Sequence, residues 1–149
     1  MRVHIIALVL SSLALTSSAH ALANEDKWVE GTWVAPSRFG QFISHISIKD
    51  CGNGTPCGTL VWLAPRSPAP RTDRLNPDAL SKSRTLIGTP ILYGFTKRGS
   101  GWSAGHLYNP EDGKTFSSAL ARGQDGQLLV TGCLGPLCQT KAWKRANHD

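Results

Sequence analysis

The sequence predicts an all-β fold, a single small up-and-down β-barrel of about eight strands with one long crossover. Three observations predict it. Apolar and polar residues alternate with period two at nearly regular intervals, turn signals separate the alternating runs, and no segment carries a useful 3.6-residue apolar stripe. A chain of 149 residues with 40% hydrophobic and 17% charged residues is the size and balance of one globular domain. That composition excludes intrinsic disorder, and the length excludes a large multi-domain enzyme.

Residues 1–23 read as a signal peptide. Arg2 supplies the positive end, Ile5 to Leu15 is a short apolar stretch, and Ala19-His20-Ala21 and Ala21-Leu22-Ala23 are small-x-small cleavage patterns. Cleavage near Ala21 or Ala23 would release a periplasmic or secreted protein whose residues 24–149 form one barrel domain. No later apolar run reaches the roughly 20 residues of a spanning helix, so no membrane span is expected.

Strands are expected at residues 30–34, 41–49, 58–63, 90–97, 102–108, 114–122, 127–134 and 139–145. In the second, Phe42, Ser44, Ile46 and Ile48 share one face and Ile43, His45, Ser47 and Lys49 the other, the alternation of a half-buried strand. Arg98-Gly99-Ser100-Gly101, Asn109-Pro110-Glu111-Asp112-Gly113 and Asp125-Gly126 carry turn chemistry between strands. Ala64 to Arg84 breaks the rhythm as a basic, proline-punctuated crossover. Within it, Asn76-Pro77 reads as the cap and first position of a helical turn over Asp78 to Ser83. Arg84, placed just before a strand, is the best bidentate donor for an anionic group. The plainer reading pairs it with Asp78 on a solvated surface.

In an oxidising compartment the four cysteines become crosslinks. They allow three connectivities that sequence cannot separate. The local pairs Cys51–Cys57 and Cys133–Cys138 are favoured because each brackets a turn-rich segment, and such short closures contribute about 2 kcal/mol each. The first spacing is wider than a zinc knuckle and no Cys-x-x-Cys occurs, so neither a metal nor any other cofactor is expected.

Enzymatic readings are weak. Gly101-Trp102-Ser103-Ala104-Gly105 matches a nucleophile elbow and His106 follows, but the elbow needs strand, strained turn and helix, whereas this segment continues as strand. His45, His106 and the near-terminal His148 give little support to a metal site. Asp78 with Glu111 or Asp112, and Glu30, have adequate turn, capping or surface explanations. The formal charge of +6 and five tryptophans suit an anionic envelope component better than nucleic acid, because the cations are scattered.

Several segments, in order, resemble a known family. They are Gly31-Thr32-Trp33, Cys57 to Leu63, Asn76-Pro77-Asp78 with Arg84 and Leu86-Ile87-Gly88, Gly101-Trp102 with Gly105, Tyr108-Asn109-Pro110 with Asp112-Gly113-Lys114, and Gln139 with Trp143-Lys144-Arg145. Together they resemble the bacterial exported family called domain of unknown function 2147 (DUF 2147), over essentially the whole mature chain. The resemblance implies a lipocalin-like barrel from a bacterial envelope and no established activity. Cys133, Cys138 and Phe116 depart from the pattern. In lipocalin-like barrels a first-strand Gly-x-Trp packs beneath an Arg of the last strand. The resemblance therefore implies barrel closure by Trp33 and Arg145, an indole shielding a guanidinium.

The expected function is non-enzymatic binding of a small hydrophobic or amphipathic ligand at the barrel mouth. Trp62, Tyr93, Trp102 and Tyr108 are the candidate aromatic contacts, and Asn76, Asp78 and Arg84 of the crossover form a polar gate. Alternation puts Tyr93 with Phe95 on one face and Trp102 with Tyr108 on another, while register leaves open which faces look inward. The alternatives are an accessory envelope protein with a filled barrel that docks a protein or anionic polymer, and an envelope hydrolase.

Overall fold

The computed structural model describes residues 26–37, 43–64 and 70–147. The expected signal peptide, Phe42 and His148 lie outside the described residues. Among the described residues nine strands follow one another: β1 (Gly31–Pro36), β2 (Ile43–Asp50), β3 (Pro56–Leu63), β4 (Pro90–Tyr93), β5 (Thr96–Arg98), β6 (Gly101–Asn109), β7 (Lys114–Arg122), β8 (Leu128–Leu134) and β9 (Leu137–Arg145). All pairings are antiparallel, in the order β4-β3-β2-β1-β9-β8-β7-β6-β5, and a β4–β6 pairing closes the barrel. Eight strands form the closed wall, and β5 continues along β6 where β4 stops. Closure leaves no open edge among these eight.

The strand expected at 90–97 is thus two strands. The chain breaks at Gly94-Phe95, and the break undoes the face expected for these aromatics: Tyr93 is 38% exposed outside while Phe95 is buried. Gly105 makes room for Phe95, because a Cβ there would stand 2.2 to 2.5 Å from three atoms of its ring. The two outer glycines of the Gly-x-Ser-x-Gly run are therefore packing residues of β6: at Gly101 a Cβ would stand 2.4 Å from the Leu120 carbonyl oxygen.

Alternation in β2 is as read, with Ser44, Ile46 and Ile48 buried. Interior positions of the other strands add Trp33, Leu60, Leu92, Trp102, Leu120, Leu128, Val130 and Trp143 to one continuous core. The β6–β7 register slips between Trp102 and Gly105. Ala104 sits in this bulge with φ 55°, a left-handed conformation that costs a non-glycine residue about 1 to 2 kcal/mol. The extra residue reverses the parity of the rest of β6. Leu107 shares the interior with Phe116 and Gly132, and the Tyr108 hydroxyl turns to the crossover.

One end of the barrel is closed. A 3-10 turn, Asp26–Val29, lies across it, and the Trp33 indole N–H donates to the Val29 carbonyl at 2.8 Å. The Arg145 guanidinium lies 4.3 Å from the Trp33 ring centroid and donates to the carbonyls of Trp28 and Glu30 at 2.6 Å each. Trp33 and Arg145 are direct partners in the β1–β9 ladder. Trp28 packs tilted against Trp102, ring centroids 5.6 Å apart, and Lys97 sits 4.1 Å over the Trp102 ring. The Cys51–Cys57 disulfide staples the β2–β3 hairpin at this same end.

The opposite end carries the end of β1, the β6–β7 turn and the β8–β9 hairpin, in which Cys133 and Cys138 are ladder partners joined by the second disulfide. The crossover between β3 and β4 also lands on this half. Its helical segment is shorter than expected, a 3-10 turn over Ala79–Ser81 capped by Asp78 rather than Asn76. Asn76 instead closes an Asx turn with the Asp78 N–H, at 2.9 Å, and sends its amide inward.

Candidate functional site

Two polar or cavity-forming centres occupy the open half of the barrel. The first pins the crossover to the wall. Thr72 and Thr85 form an antiparallel bridge, which brings Asp73 alongside Arg84, and the Asp73 N–H donates to the Arg84 carbonyl at 3.1 Å. The Asp73 carboxylate is fully buried. One of its oxygens accepts from the Tyr108 hydroxyl at 2.5 Å; the other accepts from Asn76 Nδ2 at 2.8 Å and from Arg84 Nε and Nη2 at 3.1 and 2.8 Å. Arg84 therefore pairs with Asp73 and not with Asp78, because the bridge fixes that pairing while Asp78 serves the 3-10 turn. Burial, reinforced by the neighbouring carboxylate of Asp73, raises the Tyr108 phenol above its ordinary range. The Asp78 carboxyl is lowered by the hydrogen bond from the Ser81 hydroxyl and next by the Leu80 N–H.

The second centre is a cavity of about 270 Å³ inside the barrel, toward its open end. Its depth is apolar: Ile46, Leu60, Ile91, Leu107, Val130 and Trp143 line it, with Phe116 on the wall. Its polar groups are Ser44, Tyr108, Asn109, Glu111, Gln139 and Lys141. Lys141 Nζ donates to the Ser37 carbonyl at 2.9 Å, and the Ser37 hydroxyl donates to Glu111 Oε1. β1 and β6, whose end leads into the turn that carries Glu111, lie four strands apart in either direction around the eight-stranded wall, so the Ser37–Glu111 contact spans the mouth.

Of the seven residues expected to touch ligand, Tyr108 alone lines this cavity. Trp62 stands on the outer surface and stacks on His45 at 4.4 Å; Tyr93 stands outside and stacks on His106 at 5.2 Å. Trp102 is buried toward the closed end, its indole N–H without a hydrogen-bond partner among the described residues. Asn76 and Arg84 belong to the Asp73 network and Asp78 to its 3-10 turn. No described crossover residue lines the cavity, so the polar groups at the mouth are those of Ser37, Glu111 and Lys141. Lys141 was legible in principle. It alternates with Gln139 and Trp143, and burial of Trp143 puts all three on the interior face. Asp73 carried no such signal, being one acid within a basic segment.

Ser103 lies within strand β6, beside its bulge, and not at a strand-to-helix turn. No cluster of three or more His, Cys, Asp or Glu suited to a metal occurs among the described residues, and no helix among them is long and apolar enough to cross a membrane.

Residues 31–145 match the family described as "Uncharacterized protein conserved in bacteria (DUF2147)". Among solved structures, the chain is similar to one described as "Protein HP1028 from the human pathogen Helicobacter pylori belongs to the lipocalin family". The TM-score is 0.69 and the identity 25%, over 80% of this chain and 83% of that one. No curated protein matches the chain significantly.

Proposed function

Since the chain belongs to the bacterial DUF2147 family and folds as a lipocalin-like barrel, we propose that it is an exported, non-enzymatic protein that holds one small apolar or amphipathic molecule in the barrel. The observation that carries this reading is the cavity of about 270 Å³, apolar in its depth and polar at its mouth. Ligand sites typically measure roughly 300 to 1,000 Å³, so this one suits a slender molecule and not a large ring system. The arrangement is that of a binding site: apolar walls supply affinity, and the few polar groups orient the ligand. Tyr108, at the cavity edge, is the residue of the expected ligand set that the reading retains.

Two disulfides among the described residues support an oxidising compartment, hence export through the leader of residues 1–23. Native mass spectrometry of protein purified from its own cell envelope tests the binding reading. A co-purifying small molecule released by denaturation is the expected result. Repeated recovery of empty protein, with no displacement of a fluorescent apolar probe, would overturn it.

A further inference from the structure

Resting on the cavity as a ligand site, we propose that the ligand is a single-chain amphiphile with an anionic oxygen head group, held at the mouth by Lys141. Lys141 is the only Lys or Arg among the described residues lining the cavity. It points inward because β9 alternates: Val130 is its ladder partner, and Val130 and Trp143 are both buried in the core. An ammonium has three donors. Among the described residues, that of Lys141 makes one hydrogen bond, to the Ser37 carbonyl, a neutral acceptor. That bond fixes the nitrogen at the rim and leaves donor directions for an oxygen anion. A partly shielded charge on a largely apolar wall gains most from a counter-charge.

Below Lys141 the wall is Trp143, Val130, Ile46, Leu60 and Leu107, with no charged group in its depth. The ligand's other end is therefore hydrocarbon. At roughly 30 Å³ for a water-sized group, a volume of about 270 Å³ takes a chain of about eight to ten carbons. Glu111 also lines the mouth, but it accepts the Ser37 hydroxyl from the opposite side of the barrel. Its charge disfavours a second anion and leaves Lys141 as the head-group contact.

The test is calorimetric titration of the purified protein with decanoate, decanol and decyltrimethylammonium, three heads on one tail. Decanoate should bind at least about tenfold tighter than decanol, the increment of one charge-assisted hydrogen bond, and decyltrimethylammonium weakest. Lys141→Met should bring decanoate to the decanol level without weakening decanol, and Lys141→Arg should keep the preference. Equal binding of decanoate and decanol by the unmodified protein, or a preference that survives Lys141→Met, would overturn the head-group assignment and leave the cavity reading standing. Failure of all three to bind would remove the cavity reading itself, and the assignment with it. The comparison within the unmodified protein decides even if the variant fails to fold.

Discussion

Replacing Asp73 by alanine should be among the most damaging single changes in the crossover, and the magnitude follows from its partners. The carboxylate is fully buried and accepts from Tyr108, Asn76 and Arg84. Losing it leaves the Tyr108 hydroxyl without its acceptor, at about 1 to 3 kcal/mol, and leaves the Asn76 amide only its 3.2 Å bond to that hydroxyl, a loss of about 1 kcal/mol. The Arg84 side chain is 40% exposed, so water replaces its lost partner and that pair contributes no more than about 1 kcal/mol. The total is about 2 to 5 kcal/mol. Tyr108→Phe, which deletes one donor, should cost about 2 kcal/mol. Urea unfolding at neutral pH reads these values. At a slope of about 2 kcal/mol per molar, Asp73→Ala moves the midpoint down by roughly 2 M. An Asp73→Ala cost under about 1 kcal/mol would refute the assignment of this energy to the buried donors.

Further outcomes follow from other sites. Tyr108 is neutral when protonated, and its folded pKa is raised above the ordinary value of 10.0. The unfolded chain therefore loses that proton first, and stability should fall as pH rises through about 10, by up to about 1.4 kcal/mol per pH unit from this group; alkaline urea titrations of the Tyr108→Phe variant should lack that component. Gly105→Ala should cost about 3 kcal/mol or more in thermal unfolding, since its methyl would overlap the Phe95 ring; a near-neutral result would mean that Phe95 moves freely. Opening either disulfide by a Cys→Ser pair should cost about 2 kcal/mol by chain entropy, measured by differential scanning calorimetry against the oxidised parent. Ser103→Ala should leave ligand binding unchanged and shift stability by less than about 0.5 kcal/mol; loss of any hydrolytic activity in that variant would reopen the nucleophile-elbow reading.

The two ends of the barrel have different tasks. The closed end spends its tryptophans on structure: Trp33 beneath Arg145, and Trp28 against Trp102. The open end keeps a cavity lined by aliphatic residues together with Trp143, Phe116 and Tyr108, and gathers Lys141, Glu111 and Ser37 at the rim. Of the aromatics expected at the ligand, Tyr108 alone lines the cavity, where Trp143 and Phe116 join it. Trp62 and Tyr93 each stack with a histidine on the outside, His45 and His106, which half-covers both rings.

Strand positions, the β2 face, the all-β class and the local cysteine pairs were legible because each depends on neighbours a few residues apart. Alternation is a local property of extended chain, and a hairpin disulfide needs only a turn between its cysteines. What only the tertiary structure decided is which groups meet across the barrel. One bulge at Ala104 reverses every face beyond it, so Tyr108 turns to Asp73 while Leu107 takes the interior. The break at Gly94 does the same to Tyr93 and Phe95. Pairing of Asp73 with Tyr108, or of Ser37 with Glu111, joins residues 35 and 74 apart in sequence. Such pairings depend on the summed register of the intervening strands, a quantity that no window of local sequence contains.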